Sequence, residues 1–242
     1  MLPEPPPVPD VRDLLDFRGK TVIVTGSSGG IGRGILLRFA QAGANVVLHC
    51  HTRLEEATRL LRGLQGEGVP ATLVQADLGA ADGAAALLAG ALERFGGAEV
   101  LVNNAAIQPT VALLDMTPGH WDDMMNATLR SVFLCTQAFA RAGREGEGPR
   151  AVVNITSVEA ERTAAGHSHY SAAKAAVQMY TRASALELAP SGIRVNAVAP
   201  GLIWRSGLEQ DWPGGVRRWQ ARAPLGRLGQ PEDVADACLF LA

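Results

Sequence analysis

Ser157, Tyr170 and Lys174 fall in one stretch, Asn154 to Lys174, and their types and spacing can do chemistry. Lys174 follows Tyr170 by four residues, so on a helix the phenol and the ammonium share a face. A free tyrosine has a pKa of about 10, too high for easy proton exchange near neutrality. A cation held close favours the phenolate and lowers that value. Ser157 stands where the apolar run Ala151 to Ile155 turns polar, the mark of a strand end. The three side chains predict a tyrosine acid/base tuned by a lysine, with a serine hydroxyl placed to hold a substrate oxygen.

A second chemical feature lies near the N-terminus. The apolar run Thr21-Val22-Ile23-Val24 leads into Thr25-Gly26-Ser27-Ser28-Gly29-Gly30-Ile31-Gly32. A helical pattern follows through Ile31, Ile35, Leu36, Phe39 and Ala40, and Gly43 stops it. Strand, glycine turn and helix together predict a phosphate site. Glycines let the backbone approach a pyrophosphate, and the helix N-terminus supplies free N–H groups and positive potential. Gly26, Ser28, Gly30, Ile31 and Gly32 are its candidate residues, with Gly-x3-Gly-x-Gly spacing. The next strand, Val46 to Leu48, is followed by His49-Cys50-His51-Thr52-Arg53, and no acid appears until Glu55. An acid there would bond an adenosine ribose and repel a 2′-phosphate; His51, Thr52 and Arg53 would accept the phosphate. The pattern favours NADP, with NAD as the alternative.

The remaining elements must bring these two features together. Thr72 to Gln75 predicts a third strand, ending near Asp77-Leu78, and Asp82 to Phe95 a helix closed by Gly96-Gly97. Val100 to Val102 predicts a fourth strand, ending in Asn103-Asn104-Ala105-Ala106, whose amides can tie loops or bond a ligand. Thr117-Pro118 caps one long helix running through Phe139, and residues 143–149 form a loop. A helix from Tyr170 to Leu188 ends at Pro190; a strand from Arg194 to Ala199 ends in Pro200-Gly201. Residues 202–223 hold Trp204, Trp212 and Trp219 among Gly207, Pro213, Gly214 and Gly215, and predict a mobile lid. A last helix opens at Gln230-Pro231-Glu232. Six strand–helix units without repeats predict one α/β domain, a doubly wound parallel sheet with ligand outside the strand C-termini.

Composition narrows the class. The 242 residues, 47% apolar, fit one α/β domain. A charge of −2 and pI near 6.2 give no bulk attraction to nucleic acid or anionic membranes. Three dispersed cysteines, Cys50, Cys135 and Cys238, argue against a disulfide framework or zinc cluster and fit a reducing cytoplasm. His49, His51, His167 and His169 fall on separate elements, so no metal site is expected. The N-terminus, Met-Leu-Pro-Glu-Pro-Pro-Pro, lacks signal-peptide regions. Residues 1–10 read as a mobile proline-rich stretch, part of a tail over residues 1–16 that precedes the domain at 17–242.

Taken in order, these motifs resemble the short-chain dehydrogenase/reductase family from Phe17 to Ala242. The Gly26/Gly30/Gly32 turn is similar to its cofactor fingerprint, Asp77-Leu78 to its adenine-contacting pair, and Asn103-Asn104-Ala105-Ala106 to its Asn-Asn-Ala-Gly. Pro200-Gly201 with Ile203 resembles its nicotinamide-side turn, and Pro224-Leu225-Gly226-Arg227 and Gln230-Pro231-Glu232-Asp233 the stretch after its lid. The resemblance implies a Rossmann fold and makes Ser157, Tyr170 and Lys174 the catalytic residues. Tyr170 then exchanges a proton with the carbonyl or alcohol oxygen while hydride moves to or from the nicotinamide, and Ser157 bonds the substrate oxygen. Lys174 holds the nicotinamide ribose, and Asn104, Ala105, Pro200, Gly201 and Ile203 join the cofactor contacts. It further implies a homodimer or homotetramer packed through the helices at 118–141 and 170–189.

The sequence departs from the family at four places. Ala106 replaces a glycine, and Arg205 stands where a threonine usually follows Pro-Gly-x-Ile-x. Thr128 falls on the position of the active-site asparagine, and Asn126 lies roughly 200° away around a helix. The chain also ends before the family's last strand, so six strands are expected. The expected activity is an NADP(H)-dependent interconversion of a carbonyl and a secondary alcohol on a small molecule. The alternatives are an NAD-dependent sugar or polyol dehydrogenase, or a cofactor-binding protein with impaired catalysis. Glu159, Glu161, Arg162 and His167, between Ser157 and Tyr170, read as an exposed loop.

Overall fold

A computed structural model describes residue 10, residues 13–143 and residues 148–242. The tail reading of residues 1–10 therefore falls outside the described residues except at Asp10, as do residues 144–147 of the loop at 143–149. Six strands form one sheet: β1 Thr21–Val24, β2 Asn45–Cys50, β3 Ala71–Gln75, β4 Val100–Asn103, β5 Arg150–Ile155 and β6 Ile193–Val198. Their spatial order is β3-β2-β1-β4-β5-β6, and every pairing is parallel. The helices are α1 Gly30–Gln41, α2 Leu54–Gly66, α3 Gly83–Phe95, α4 Pro118–Met125, α5 Ser131–Arg141, α6 Ser168–Leu188, α7 Leu208–Asp211, α8 Pro213–Arg222 and α9 Pro231–Leu241. This is the doubly wound sheet expected from the strand–helix alternation.

The inner strands are buried on both faces, which is why they read as continuous Val/Ile/Leu runs. Successive side chains of β1 serve opposite faces. Val22 and Val24 pack with Ile35, Leu36 and Phe39 of α1 and with Val234 and Cys238 of α9. Ile23 packs with Leu87 and Leu88 of α3 and Cys135 and Phe139 of α5. Phe17 closes the lower end of the first layer, edge-on to Phe39 at 5.0 Å between ring centroids. The winding reverses between β1 and β4, the position at which doubly wound sheets open a ligand crevice beyond the strand C-termini.

One expectation changes in the structure. The long helix from Pro118 is two α-helices joined by a wide turn, Asn126–Arg130, in which the Ser131 amide reaches back to the Asn126 carbonyl oxygen. The buried positions Met124, Thr128, Val132 and Thr136 fall at successive fours, wider than the 3.6 residues per turn of an α-helix. The segment 202–223 folds as α7 and α8 around a small core of Leu208, Val216 and Leu228, with Leu202 and Trp219 against it. Its start is tied to the stretch that follows it where Ile203 pairs with Gly229. Trp204 and Trp212 are about half exposed. Among the described residues, no helix is long and apolar enough to cross a membrane.

Candidate active site

The glycine turn is built by close approach. Gly26 has φ +63° and Gly30 φ +54°, left-handed values that side chains disfavour. A Cβ on Gly32 would lie 2.4 Å from the Gly26 carbonyl oxygen and 2.5 Å from Asn104 Nδ2. The N-cap of α1 is Gly29, with no side chain capping the first-turn amides. Backbone N–H groups at a glycine-lined helix start fit a dinucleotide pyrophosphate. Ser28 and Ile31 sit beside this turn, half-buried. Asn104 braces it from β4: its amide donates to Thr25 O at 2.9 Å and Gly26 O at 3.2 Å. The Asn104 and Ala105 N–H groups both donate to Thr25 Oγ1 at 2.9 Å.

On the adenosine side, β2 runs to Cys50, and His51, Thr52 and Arg53 follow it in exposed positions. Arg53 is the N-cap of α2, and its Nη1 would lie 3.6 Å from a Cβ built on Gly29. Its guanidinium therefore reaches across to the glycine turn. Asp77 is exposed and its carboxylate accepts the Gly79 N–H at 2.9 Å. Leu78 is turned into the core, 4% exposed.

Ser157 follows β5, and Tyr170 and Lys174 lie one turn apart on α6. All three are buried, at 8%, 8% and 3% exposure. Their placement depends on a buried polar ladder. Asn103 donates to Asn154 at 2.9 Å and to Thr136 at 3.1 Å, and Asn154 donates to Thr181 of α6 at 2.9 Å. The ladder locks α5 and α6 to the ends of β4 and β5. Lys174 Nζ donates to the Ile155 carbonyl oxygen at 2.7 Å. Burial lowers the Lys174 pKa to about 8. The Tyr170 phenol is pushed up, first by burial and also by the nearby Glu159, while its hydrogen bond with Ser157 lowers it. The lowered phenol expected from the spacing is thus not seen in the protein alone, where burial is the largest influence on the phenol. Thr128 is fully buried, its hydroxyl 3.4 Å from Met124 Sδ, whereas Asn126 is exposed. Asn126 does not take the place of the residue at 128.

The stretch between Ser157 and Tyr170 also differs from expectation. Glu159 and His167 form a largely buried pair at 2.9 Å, with 17% and 16% side-chain exposure. The pair clasps the loop after β4. Gln108 donates to Glu159 at 3.3 Å, Thr110 contacts His167 Nε2 at 3.1 Å, and Val111 N–H donates to Gly166 O at 2.9 Å. Glu159 N–H donates to Ser157 Oγ at 3.1 Å, and the His167 ring lies edge-on to Tyr170 at 5.9 Å. A Glu and a His eight residues apart in a loop give no periodic signal, so sequence reasoning missed the clasp. Glu161 and Arg162 are exposed, as expected.

Across the crevice, the Val158 N–H donates to the Pro200 carbonyl oxygen at 3.0 Å, tying the Pro200-Gly201 turn to the Ser157 end of β5. A Cβ on Gly201 would meet the Trp219 ring at 2.5 Å, so α8 rests directly on that turn. Ile203 is half-buried in the pairing with Gly229. Arg205 pairs with Asp211 at 2.8 Å within the segment. Among the described residues no group of three His, Cys, Asp or Glu converges as a metal site.

The geometry agrees with comparisons to known proteins. A family model described as enoyl-(acyl carrier protein) reductase matches residues 26–242. The 3-oxoacyl-[acyl-carrier-protein] reductase FabG of Staphylococcus aureus is 36% identical over 224 residues, 92% of this chain and 90% of the relative. A Brucella melitensis crystal structure described as a short-chain dehydrogenase/reductase, glucose/ribitol dehydrogenase, superposes with TM-score 0.86 at 33% identity. It covers 93% of this chain and 90% of its own. A Burkholderia cenocepacia short-chain dehydrogenase in complex with NADP superposes with TM-score 0.83 at 33% identity, with the same coverages of 93% and 90%. With the sheet order, the glycine turn and the Ser–Tyr–Lys placement already seen, these matches show that the chain belongs to the short-chain dehydrogenase/reductase family and is one of its NAD(P)-dependent oxidoreductases.

Proposed function

We propose that the protein is an NADP(H)-dependent oxidoreductase interconverting a carbonyl and a secondary alcohol, with Tyr170 as acid/base. The observation that carries this reading is the burial of Ser157, Tyr170 and Lys174 together, with Lys174 one turn after Tyr170 on α6, at the same C-terminal end of the sheet as the glycine turn. When bound, the nicotinamide supplies or takes up the hydride. Tyr170 gives its proton to the carbonyl oxygen in reduction and takes the alcohol proton in oxidation. Ser157 holds that oxygen through its hydroxyl. Lys174, directed by Ile155 O, holds the ribose and supplies positive charge beside the phenol. Gly26, Ser28, Gly30, Ile31 and Gly32 hold the pyrophosphate, Asp77 and the Leu78 backbone face the adenine, and Asn104, Ala105, Pro200, Gly201 and Ile203 line the nicotinamide half.

Three observations support NADP over NAD. No carboxylate ends β2, Arg53 reaches over the glycine turn, and a relative of known structure is in complex with NADP. Arg53, Thr52 and His51 would take the 2′-phosphate. The reading is tested by following NADPH consumption with ketones, sugars and acyl thioesters, together with calorimetric binding of NADPH and NADH. Turnover with one of these classes and tighter NADPH binding are expected. A folded protein inert toward all of them overturns it.

A second reading, an NAD-dependent sugar or polyol dehydrogenase, is favoured by the polar clasp of Gln108, Thr110, Glu159 and His167 beside Tyr170. It is distinguished by NAD-dependent polyol oxidation. The segment 202–223 is proposed to act as a lid, resting through Trp219 on the Pro200-Gly201 turn. A homo-oligomer packed through α5 and α6 is supported by outward-facing Phe133, Met179 and Leu186, and sedimentation would measure it.

A further inference from the structure

The imidazole of His49 takes no part in the proton transfer above, yet it is bonded into the cofactor turn. His49 lies in β2 and is 2% exposed. Its Nδ1 is 3.0 Å from the Gly26 amide nitrogen, and its Nε2 is 3.0 Å from the Ala76 carbonyl oxygen. A backbone N–H only donates, and a carbonyl oxygen only accepts. Both bonds form together only if Nδ1 carries a lone pair and Nε2 carries the proton. The ring is therefore neutral, in the Nε2–H form. It joins the first glycine of the phosphate turn, β2, and the residue before Asp77. Two further bonds hold the same place: Ser27 N–H to His49 O and His49 N–H to Ser27 Oγ, each 3.0 Å.

We infer that His49 is a positioning residue for the dinucleotide: its neutral ring fixes the Gly26 end of the pyrophosphate turn against the strand end that bears Asp77, and protonation of Nδ1 releases it. This rests on the dinucleotide reading above. A proton on Nδ1 would point at the Gly26 N–H, so the acceptor becomes a second donor. Burial is the largest influence and lowers the His49 pKa from 6.5; His51 also opposes the cation, while the Ala76 carbonyl and Asp77 favour it. The turn therefore stays braced at neutral pH and loosens only in more acidic solution than an exposed imidazole would need.

Direct binding of NADPH, read by its fluorescence from pH 8 to pH 5.5, tests this on the whole chain, with thermal unfolding of each ligand-free variant alongside. His49→Leu removes the acceptor and leaves a buried N–H unpaired, so Kd at pH 8 is expected to rise about tenfold. The loss is read in KM for NADPH more than in kcat. His49→Asn places Oδ1 where Nδ1 stood and does not titrate. It is expected to keep Kd within about threefold of wild type and to escape the extra weakening expected of wild type toward the acidic end of the range. The 2′-phosphate titrates equally in both, so their difference isolates the imidazole. A His49→Leu protein that binds as wild type does, or a His49→Asn protein that follows the wild-type pH curve, overturns the inference. If His49→Leu does not fold, the comparison of His49→Asn with wild type decides alone. Wild-type protein that binds neither NADPH nor NADH overturns the dinucleotide reading, and this inference with it.

Discussion

At Tyr170 a single oxygen separates the proposed proton transfer from packing. The ring is buried against Met124 and Ala173, so Tyr170→Phe keeps the contacts and removes only the hydroxyl. Positioned general acid–base catalysis is worth about 10²–10⁴-fold. We expect kcat to fall by roughly 10³-fold or more, with NADPH binding by calorimetry within about threefold of wild type. Retained turnover would take the proton-transfer role away from Tyr170. Arg53 makes a complementary case at the far end of the proposed cofactor site. Arg53→Ala should weaken NADPH about tenfold and leave NADH unchanged, since only the 2′-phosphate differs. These residues were legible in the sequence because their chemistry depends on short spacings: four residues on a helix, or a few after a strand. The Glu159–His167 clasp and the His49 bridge were not. His49 meets Gly26 and Ala76 only after three strands have paired, and nothing local in the sequence encodes that meeting.

At the scale of elements, the β1–α1 turn exists because glycine carries no Cβ. In Gly32→Ala the added carbon would meet the Gly26 carbonyl oxygen at 2.4 Å and Asn104 Nδ2 at 2.5 Å. The first of these is backbone and cannot rotate away. Overpacking of this kind is destabilising by about 1–3 kcal/mol, and relief requires α1 to lift from the turn that would cradle the pyrophosphate. We expect a lower urea midpoint with an unchanged slope, and a loss of NADPH affinity of at least about tenfold. A variant that binds NADPH as wild type does would show that the turn tolerates the shift. Strand and helix types followed directly from composition. The Val/Ile runs are strands because they are buried on both faces, and α6 places Tyr170 and Lys174 together as its spacing required. The break at Asn126–Arg130 was harder to see. Its residues keep an apolar stripe, and one extra residue in a turn changes the interval from 3.6 to 4 without disturbing the pattern.

For the molecule as a whole, the site imposes a cost that stability can report. Lys174 is 3% exposed, and its pKa falls from 10.5 to about 8 through burial. A drop of that size corresponds to roughly 3 kcal/mol of disfavoured charge, an upper figure since the protein relaxes around the ammonium. A lysine whose folded pKa is depressed destabilises the fold fully below about pH 8, where both states are protonated. The penalty fades between about 8 and 10.5 and is gone above 10.5, where both are neutral. Lys174→Met keeps the length of the side chain and removes the charge. It also leaves the Ile155 oxygen without the lysine's 2.7 Å bond, which offsets part of the gain. The expected net is a protein about 1 kcal/mol more stable than wild type at pH 7, by urea denaturation, and devoid of turnover. Wild type should close that gap as pH rises from 8 toward 10, because only its own penalty is being relieved. A variant less stable than wild type at pH 7 would mean that the bond to Ile155 outweighs the desolvated charge. In that case Lys174 would brace the end of β5 as well as the site.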